Sequence, residues 1–192
     1  EGIDIMLAID VSTSMLAEDL KPNRLEAAKD VAAEFINGRP NDNIGITLFA
    51  GETFTQCPLT VDHAVLLDMI HNIKCGLITD GTAVGMGIAN AVTRLKDSKA
   101  KSKVIILLTD GTNNKGDISP MTAAEIAKSF GIRVYTIGVG TNGMAPYPYP
   151  VGNTVQYVSM PVEIDEKTLT EIAGTTDGNY FRATSNSKLK EV

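Results

Sequence analysis

The 192-residue chain has the length of one domain, and its 43% hydrophobic and 21% charged residues can build a substantial core. A formal charge of −6 and a pI near 4.9 argue against nucleic-acid binding, which usually requires a basic face. No apolar run reaches the roughly 18 to 20 residues of a membrane-spanning helix, and no signal peptide is recognisable. The chain opens on a predicted strand and closes on what resembles a truncated helix, so we expect residues 1–192 to be one domain excised from a longer protein.

The first predicted element is a buried strand, a continuous apolar run that ends at Asp10. Asp10 would lie at the carboxyl end of this strand, where open α/β sheets place their ligands. Ser12 and Ser14 follow at alternate positions and can point to the same side. Three oxygen ligands at a strand end suit a hard divalent cation. Asp and Ser in this position are also ordinary turn and helix-capping residues, so the motif alone leaves both interpretations open.

The next segments predict a helix and then a hairpin. Asn23 and Glu26 resemble a capping box, with Asn23 accepting from the first turn and Glu26 reaching back, and an apolar stripe extends from there to residue 36. The apolar runs 44–50 and 53–57 are joined by Gly51 and Glu52, which favours a hairpin and therefore one antiparallel edge strand.

A second helix is predicted over residues 62–73, and it bears on both the cysteines and the histidines. This helix lies between Cys57 and Cys75 and would hold its own ends about 18 Å apart, whereas a disulfide spans only about 7 Å between Cα atoms, so we expect two free thiols. His63 and His71 lie eight positions apart without Cys, Glu or another His at ligand spacing. We therefore interpret both as solvated or hydrogen-bonded histidines rather than metal ligands.

The middle of the chain repeats the design of the opening strand. A polar turn at residues 79–83 leads into a helix over 84–95, in which Gly85 and Gly87 each cost about 1 kcal/mol relative to Ala and predict close packing. The following strand, 104–108, ends in Thr109, Asp110 and Gly111. Strands ending at Asp10 and Asp110 can be neighbours, which brings two carboxylates together. No Lys or Arg stands near either strand end in sequence, and we take this as favouring a bound cation.

The remaining elements complete an α/β pattern. Predicted are a helix over 119–130, a strand over 132–140, a loop over 141–162 with a hairpin at 151–160, a helix over 165–173, a strand over 178–182 and a last helix from about Ser185. A loop of that length is usually functional or mobile. Strands that alternate with amphipathic helices predict a doubly wound sheet, with a crevice between the strands that end at Asp10 and Asp110.

Three motifs resemble those of von Willebrand factor A domains in order and spacing: Asp10-x-Ser12-x-Ser14, the Gly81-Thr82 turn and Thr109-Asp110-Gly111. The resemblance covers essentially the whole chain. It implies a Rossmann-like, mostly parallel six-stranded sheet with one antiparallel edge strand and helices on both faces.

In that family the three motifs build a metal-ion-dependent adhesion site, or MIDAS. The resemblance implies that Ser12 and Ser14 bind the metal directly and that Thr82 binds directly or through water. It also implies that Asp10 and Asp110 act mostly through water, with Asp110 able to bind directly. The implied cation is Mg²⁺, with Ca²⁺ or Mn²⁺ as alternatives.

More narrowly, residues 24–29, 49–52 and 107–111 and the strand at 132–140 resemble bacterial Bat, or aerotolerance, proteins. In that group the domain is flanked by membrane-spanning helices and is often encoded beside a MoxR-type AAA+ ATPase. The resemblance implies attachment to the bacterial inner membrane through helices outside this fragment, on a face that the sequence does not decide. It implies other Bat proteins or a MoxR-type ATPase as partners.

We interpret the chain as a binding module, not an enzyme, in which Mg²⁺ recruits an Asp or Glu of a protein partner. The alternative enzyme would be a Mg²⁺-dependent phosphotransferase or phosphatase with Asp10 as nucleophile. That class would favour Asp at position 12, no Gly-x-x-x-x-Gly-Lys loop is present, and neither histidine is placed to serve Ser12 or Ser14 as a base. A structural domain with a vestigial metal site is the third interpretation.

Overall fold

In the computed structural model, which describes residues 2–113 and 115–183, a six-stranded sheet separates two layers of helices. Its strands are β1 (Asp4–Asp10), β2 (Asn43–Phe49), β3 (Thr53–Thr60), β4 (Lys103–Thr109), β5 (Ile132–Gly138) and β8 (Tyr180–Arg182). A separate two-stranded sheet consists of β6 (Gly143–Val151) and β7 (Thr154–Val162). The helices are α1 (Arg24–Asn37), α2 (His63–His71), α3 (Val84–Leu95), α4 (Pro120–Ser129) and α5 (Glu166–Thr175), with a short 3₁₀ helix at Thr13–Leu16.

The strand order is β3-β2-β1-β4-β5-β8, and only β3 runs antiparallel to its neighbour. This confirms the predicted Rossmann-like, mostly parallel sheet with one antiparallel edge strand. From β1 the chain first builds outward through β2 and β3, and then returns to place β4 on the other side of β1. The order therefore reverses between β1 and β4, which makes the carboxyl ends of these two strands the switch point where such sheets bind ligands.

The burial of β1 explains why its sequence is continuously apolar. Ile5, Leu7 and Ile9 face the core formed with α1 and α2, whereas Met6 and Ala8 face the core formed with α3, α4 and α5. A strand covered on both faces has no exposed side, so it does not show the alternation of a half-buried strand. The central position of β1 holds the residues that follow it in a fixed place.

The start of α1 matches the predicted capping box in part. The Asn23 side chain accepts a hydrogen bond from the Glu26 N–H at 2.8 Å, as expected. The Glu26 carboxylate, however, accepts from Lys29 Nζ at 3.1 Å, and Lys29 also donates to the backbone carbonyls of His71 and Ile73. Lys29 thus satisfies carbonyls at the carboxyl end of α2 and ties the two helices of this layer together.

The glycines of α3 permit two close contacts. A Cβ on Gly85 would lie 2.1 Å from the carbonyl oxygen of Ile118, and one on Gly87 would lie 2.7 Å from the Phe49 ring. Both distances are far inside van der Waals contact. The close packing that the sequence predicted is therefore present, against β2 and against the segment that precedes α4.

We expect Gly85→Ala to destabilise the domain by about 2 kcal/mol or more, although alanine is the better helix former by about 1 kcal/mol. The clash is with a backbone carbonyl, which cannot rotate away as a side chain could. Urea unfolding of the variant and of Ala89→Gly, at a half-buried position of the same helix, would measure the two effects. An unchanged or raised midpoint for Gly85→Ala would contradict this packing.

Other predictions had mixed outcomes. Cys57 and Cys75 are free, as expected. The hairpin predicted at 151–160 is longer, because β6 and β7 together extend from Gly143 to Val162 around the turn at Gly152. The predicted last helix from Ser185 lies outside the described residues. Among the helices that are described, none is both long and apolar enough to cross a membrane.

Candidate metal centre

Asp10 and Asp110 lie side by side because β1 and β4 are parallel neighbours in the sheet. Ile9 pairs with Leu108 in the register, so Asp10 lies next to Thr109 and Asp110 follows one residue later. Both carboxylates are buried, with at most 1% of each residue exposed. One Asp10 oxygen accepts from the Ser12 N–H at 2.8 Å, and the other accepts from the Thr109 hydroxyl at 2.7 Å. These bonds fix the Asp10 side chain in one orientation.

Ser12 and Ser14 turn their hydroxyls to the same point. Their Oγ atoms lie 2.9 Å apart, and Ser14 Oγ donates to Asp110 Oδ2 at 2.7 Å. The local cause is the 3₁₀ helix after Ser12, in which the Met15 N–H donates to the Ser12 carbonyl and curls the chain back. Four of the five residues that the sequence singled out are therefore joined directly by hydrogen bonds.

Thr82 reaches the same edge of the sheet through the turn before α3. Thr82 is only 3% exposed. The N–H of the next residue, Ala83, donates to the carbonyl of Ala50, just after β2, at 2.7 Å. In the same turn, the Asp80 carboxylate accepts from the Thr13 N–H and hydroxyl at 3.1 and 2.9 Å. These contacts hold the Thr82 turn against the loop that carries Ser12 and Ser14.

The electrostatics of the carboxylate pair are unfavourable without a counter-charge. Burial, together with the negative charge of Asp110, raises the pKa of Asp10 from 3.8 to about 7, although hydrogen bonds from Ser12 and Thr109 oppose the shift. In the metal-free protein Asp10 is thus only partly ionised at neutral pH. A pair of buried carboxylates with this property favours the arrival of a cation.

Arg24 places a basic side chain beside the two carboxylates in space, although no Lys or Arg stands near either strand end in sequence. Its Nη1 lies 3.2 Å from Asp110 Oδ2, while Nε and Nη2 bind the two oxygens of Asp19 at 2.8 and 2.7 Å. The residue is only 2% exposed. The single positive charge of Arg24 is shared between Asp19 and Asp110. When both of these carboxylates and Asp10 are ionised, the site therefore still has a net negative charge.

The Arg24 position depends on contacts that are distant in sequence. The Asp19 carboxylate also accepts from the N–H and hydroxyl of Thr141, at 2.8 and 3.1 Å. Burial opposes ionisation of Asp19, but these bonds and the Arg24 charge hold the pKa of Asp19 below its usual value. Gly140 has φ of +143°, and a Cβ there would lie 2.7 Å from Arg24 Cζ, so the guanidinium needs glycine at this position.

The donor set of the site consists of oxygen atoms. Within residues 2–113 and 115–183, no three His, Cys, Asp or Glu side chains cluster as a conventional metal site. Cys75 approaches the Ser12 carbonyl, with its Sγ 3.4 Å from that oxygen. Burial, together with the charges of Asp10 and Asp80, raises the pKa of Cys75 to about 12, so it stays a neutral thiol and a poor ligand. Carboxylate and hydroxyl oxygens are the ligands of hard cations such as Mg²⁺.

The fold and the three strand-end motifs define a class of protein. The chain belongs to the von Willebrand factor type A domain family, whose model matches residues 4–192. Domains of this family commonly bind a divalent cation at a MIDAS and mediate protein–protein interactions, and they are generally not enzymes.

Within the family, the chain is similar to bacterial Bat proteins. An aerotolerance-related membrane protein from Bacteroides fragilis is 35% identical with a TM-score of 0.90, and the match covers 100% of this chain and 96% of that one. The BatB protein from Bacteroides thetaiotaomicron is also 35% identical, with a TM-score of 0.89 and coverage of 99% and 95%. An uncharacterised protein of Borreliella burgdorferi is 31% identical over 182 residues, which are 94% of this chain but 53% of the relative. The chain thus spans about half the length of that relative.

Proposed function

We propose that the chain is a protein-binding module in which Asp10, Ser12, Ser14, Thr82 and Asp110 hold a divalent cation that recruits an Asp or Glu of a partner protein. The observation that carries this proposal is the cluster of oxygens at the ends of β1 and β4. Ser12 Oγ, Ser14 Oγ and Asp110 Oδ2 form a chain with successive separations of 2.9 and 2.7 Å.

These separations are hydrogen-bond distances, and they are also close to the spacing of adjacent ligands around Mg²⁺. Mg²⁺ binds six oxygens at about 2.0 to 2.1 Å, so adjacent ligands of an octahedron lie about 2.9 Å apart. The serine hydroxyls therefore need little movement to become adjacent ligands of Mg²⁺, and Ca²⁺ and Mn²⁺ are the alternatives.

The hydroxyl and carboxylate side chains have different roles in the proposed binding of the cation. Neutral hydroxyls of Ser12, Ser14 and Thr82 leave most of the charge of a bound cation uncompensated, so the cation supplies an electrophilic centre for a partner carboxylate. Asp10 orients the loop that carries Ser12 and Ser14 by accepting from the Ser12 N–H, and Asp110 orients Ser14 by accepting from the Ser14 hydroxyl. The two carboxylates thereby contribute charge and position while remaining buried.

The biological setting is proposed from the relatives. Similarity to an aerotolerance-related membrane protein and to BatB supports a role in a membrane-associated aerotolerance or stress complex of a bacterium. We propose that residues 1–192 are one domain of a longer protein anchored at the inner membrane, with other Bat proteins or a MoxR-type ATPase as partners.

The geometry weighs against the enzyme alternative. Asp10 is completely buried, and both of its oxygens accept hydrogen bonds, from the Ser12 N–H and the Thr109 hydroxyl. A nucleophilic carboxylate must present a free oxygen to the phosphoryl group that it attacks. The burial of Asp10 is compatible with a role in which its negative charge stabilises a cation without binding the cation directly.

Calorimetric titration of the metal-free domain with Mg²⁺ tests the proposal. We expect one site in the wild type, with affinity at least about tenfold lower in Ser12→Ala and Ser14→Ala, because each variant removes one direct oxygen ligand. Ser129→Ala is the matched control, since its exposed hydroxyl bonds to the Ile126 carbonyl on the surface of α4. Absence of Mg²⁺ uptake by the wild type would favour a structural domain with a vestigial site. Turnover of a phosphate ester would support the enzyme alternative.

A further inference from the structure

The hairpin of β6 and β7 has an unusual surface for a domain with this charge. Residues 141–162 contain no Asp, Glu, Lys or Arg, whereas 21% of the whole chain is charged. Of the twelve large hydrophobic side chains that are exposed in the described part of the chain, seven lie on this hairpin. They are Met144, Tyr149, Val151, Val155, Tyr157, Val158 and Met160. Exposed apolar surface concentrated in one projecting element is typical of an interaction site.

The hairpin adjoins the candidate metal centre. The Tyr147 hydroxyl donates to the backbone carbonyl of Thr13, between the two serines, at 2.9 Å. The Glu18 N–H donates to the Pro146 carbonyl, also at 2.9 Å. At the other end of the hairpin, the chain returns to the site, because the Asp165 N–H donates to the Asp110 carbonyl at 2.8 Å. The hairpin and the metal loop therefore form one continuous surface.

The outer edge of β6 is closed to further strands. The Pro146 carbonyl bonds to Glu18, so it points away from β7, and in a strand every second residue points to the same edge. Pro148 and Pro150 therefore also face outward. The edge consequently lacks N–H donors at three successive outward positions, which is how proteins block strand addition.

The outer edge of β7 has the opposite character. Ser159, Tyr157 and Val155 pair in register with Pro146, Pro148 and Pro150, so their backbone N–H and C=O groups also point outward. Nothing in residues 2–113 or 115–183 pairs with these N–H groups, and β7 has β6 as its one strand neighbour there. All residues from Thr154 to Pro161 are exposed. The next outward residue, Pro161, has no N–H and offers only its carbonyl. The strand thus offers outward N–H donors at Val155, Tyr157 and Ser159, in the pattern of an open sheet edge.

We propose that the outer edge of β7 receives an extended segment of the partner protein as an added β-strand, and that this segment carries the acidic residue to the candidate cation. The second half of this inference rests on the proposed function. Val162, at the end of β7, is three residues from Asp165, a span of about 10 Å at roughly 3.3 Å per residue. A strand paired along β7 therefore ends close to the metal edge.

An extended protein segment fits this surface better than the alternatives. A lipid bilayer could cover the apolar side chains but would leave the outward N–H and C=O groups of β7 without partners, which is costly in hydrocarbon. A second copy of the chain could pair with β7, but it would bring another charge of −6 next to an acidic site. Pairing with a segment of a different protein satisfies the backbone groups without this repulsion.

Peptides of about twelve residues, enough to cover the nine residues of β7, provide the probe. A phage-displayed random library is selected against the wild-type domain with Mg²⁺, and the best peptides are measured by calorimetry. We expect Ser159→Pro to weaken binding at least roughly tenfold, because it removes one outward N–H from the edge. Ser159→Ala is the matched control, since it removes the same side chain and keeps the N–H.

A second measurement keeps a misfolded variant from being mistaken for a positive result. Amide exchange by NMR is expected to slow at Val155, Tyr157 and Ser159 of the wild type when peptide binds. The variant must retain the wild-type circular dichroism spectrum and Mg²⁺ affinity. Peptides that bind Ser159→Pro as tightly as the wild type would overturn the inference. Failure to select any peptide, or a wild-type dimer that protects the same amides, would overturn it as well.

The two proposals fail separately in this experiment. Loss of peptide binding in EDTA, together with loss in Ser159→Pro, supports both. Binding that is lost in Ser159→Pro but survives EDTA supports the strand edge and contradicts recruitment of a carboxylate by the metal. Binding that is lost in EDTA but unaffected by Ser159→Pro supports the metal and overturns the strand edge.

Discussion

Asp10→Asn is expected to abolish stabilisation by Mg²⁺ and yet to make the metal-free domain more stable at neutral pH. The pKa of Asp10 in the folded, metal-free protein is about 7, above the ordinary aspartate value of 3.8 that approximates the unfolded chain. When folding raises the pKa of a carboxyl group, the free energy of unfolding falls as the pH rises from the pKa of the unfolded state to the pKa of the folded state. The loss begins near pH 4, increases up to about pH 7 and then levels off.

The rise in the pKa of Asp10 from 3.8 to about 7 corresponds to about 4 kcal/mol, or roughly 10 °C in the melting temperature of a domain of this size. Thermal unfolding in EDTA across this pH range would measure the effect in wild type and Asp10→Asn. Asp68→Asn, on the exposed side of α2, is the matched control. Parallel stability curves for the wild type and Asp10→Asn between about pH 4 and about pH 7 would show that Asp10 carries no such penalty.

Arg24→Met is expected to have the reverse effect on the metal-free domain. It leaves the buried carboxylates of Asp19 and Asp110 without their guanidinium, and breaking a buried ion pair from one side typically costs about 3 to 5 kcal/mol. At the same time it removes a positive charge 3.2 Å from Asp110 Oδ2, which should strengthen Mg²⁺ binding. Addition of Mg²⁺ should therefore restore more stability in the variant than in the wild type.

Arg39→Met provides the comparison for this prediction. Arg39 also pairs with an aspartate, Asp42, but its side chain is 29% exposed. A partly exposed ion pair contributes little, so we expect a loss below about 1 kcal/mol. Urea unfolding with and without Mg²⁺ distinguishes the two variants. Weaker Mg²⁺ binding by Arg24→Met would mean that Arg24 supports the cation site through Asp110 and does not compete with it.

Asp10, Ser12, Ser14 and Asp110 could be selected from sequence because their positions follow from local rules. A buried strand ends where its apolar run ends, and the carboxyl ends of parallel strands meet at one edge of a sheet. Thr82 lies in a turn with no comparable signal of its own, and only the resemblance to von Willebrand factor A domains singled it out. Whether these five residues hold a cation stays a prediction.

The contribution of Arg24 could not be predicted in the same way. It is the first residue of α1, where side chains are usually solvated, and its burial depends on Asp19, Gly140 and Thr141. Two of these lie more than a hundred positions away in sequence. The hairpin was underestimated for another reason. Prolines inside a strand pattern normally argue against a strand, and only the register with β7 shows that all three face the outer edge.

The prolines of β6 also limit how many copies of this domain can join through the hairpin. A sheet with two open edges can accept a neighbour on each side and so seed a fibre of unlimited length. Here Pro146, Pro148 and Pro150 close the β6 edge, so each copy has one open edge, that of β7. Two copies that paired through their β7 edges would leave no open hairpin edge and would form a closed dimer. Crowding many copies into a small area would therefore leave them unable to polymerise through this element.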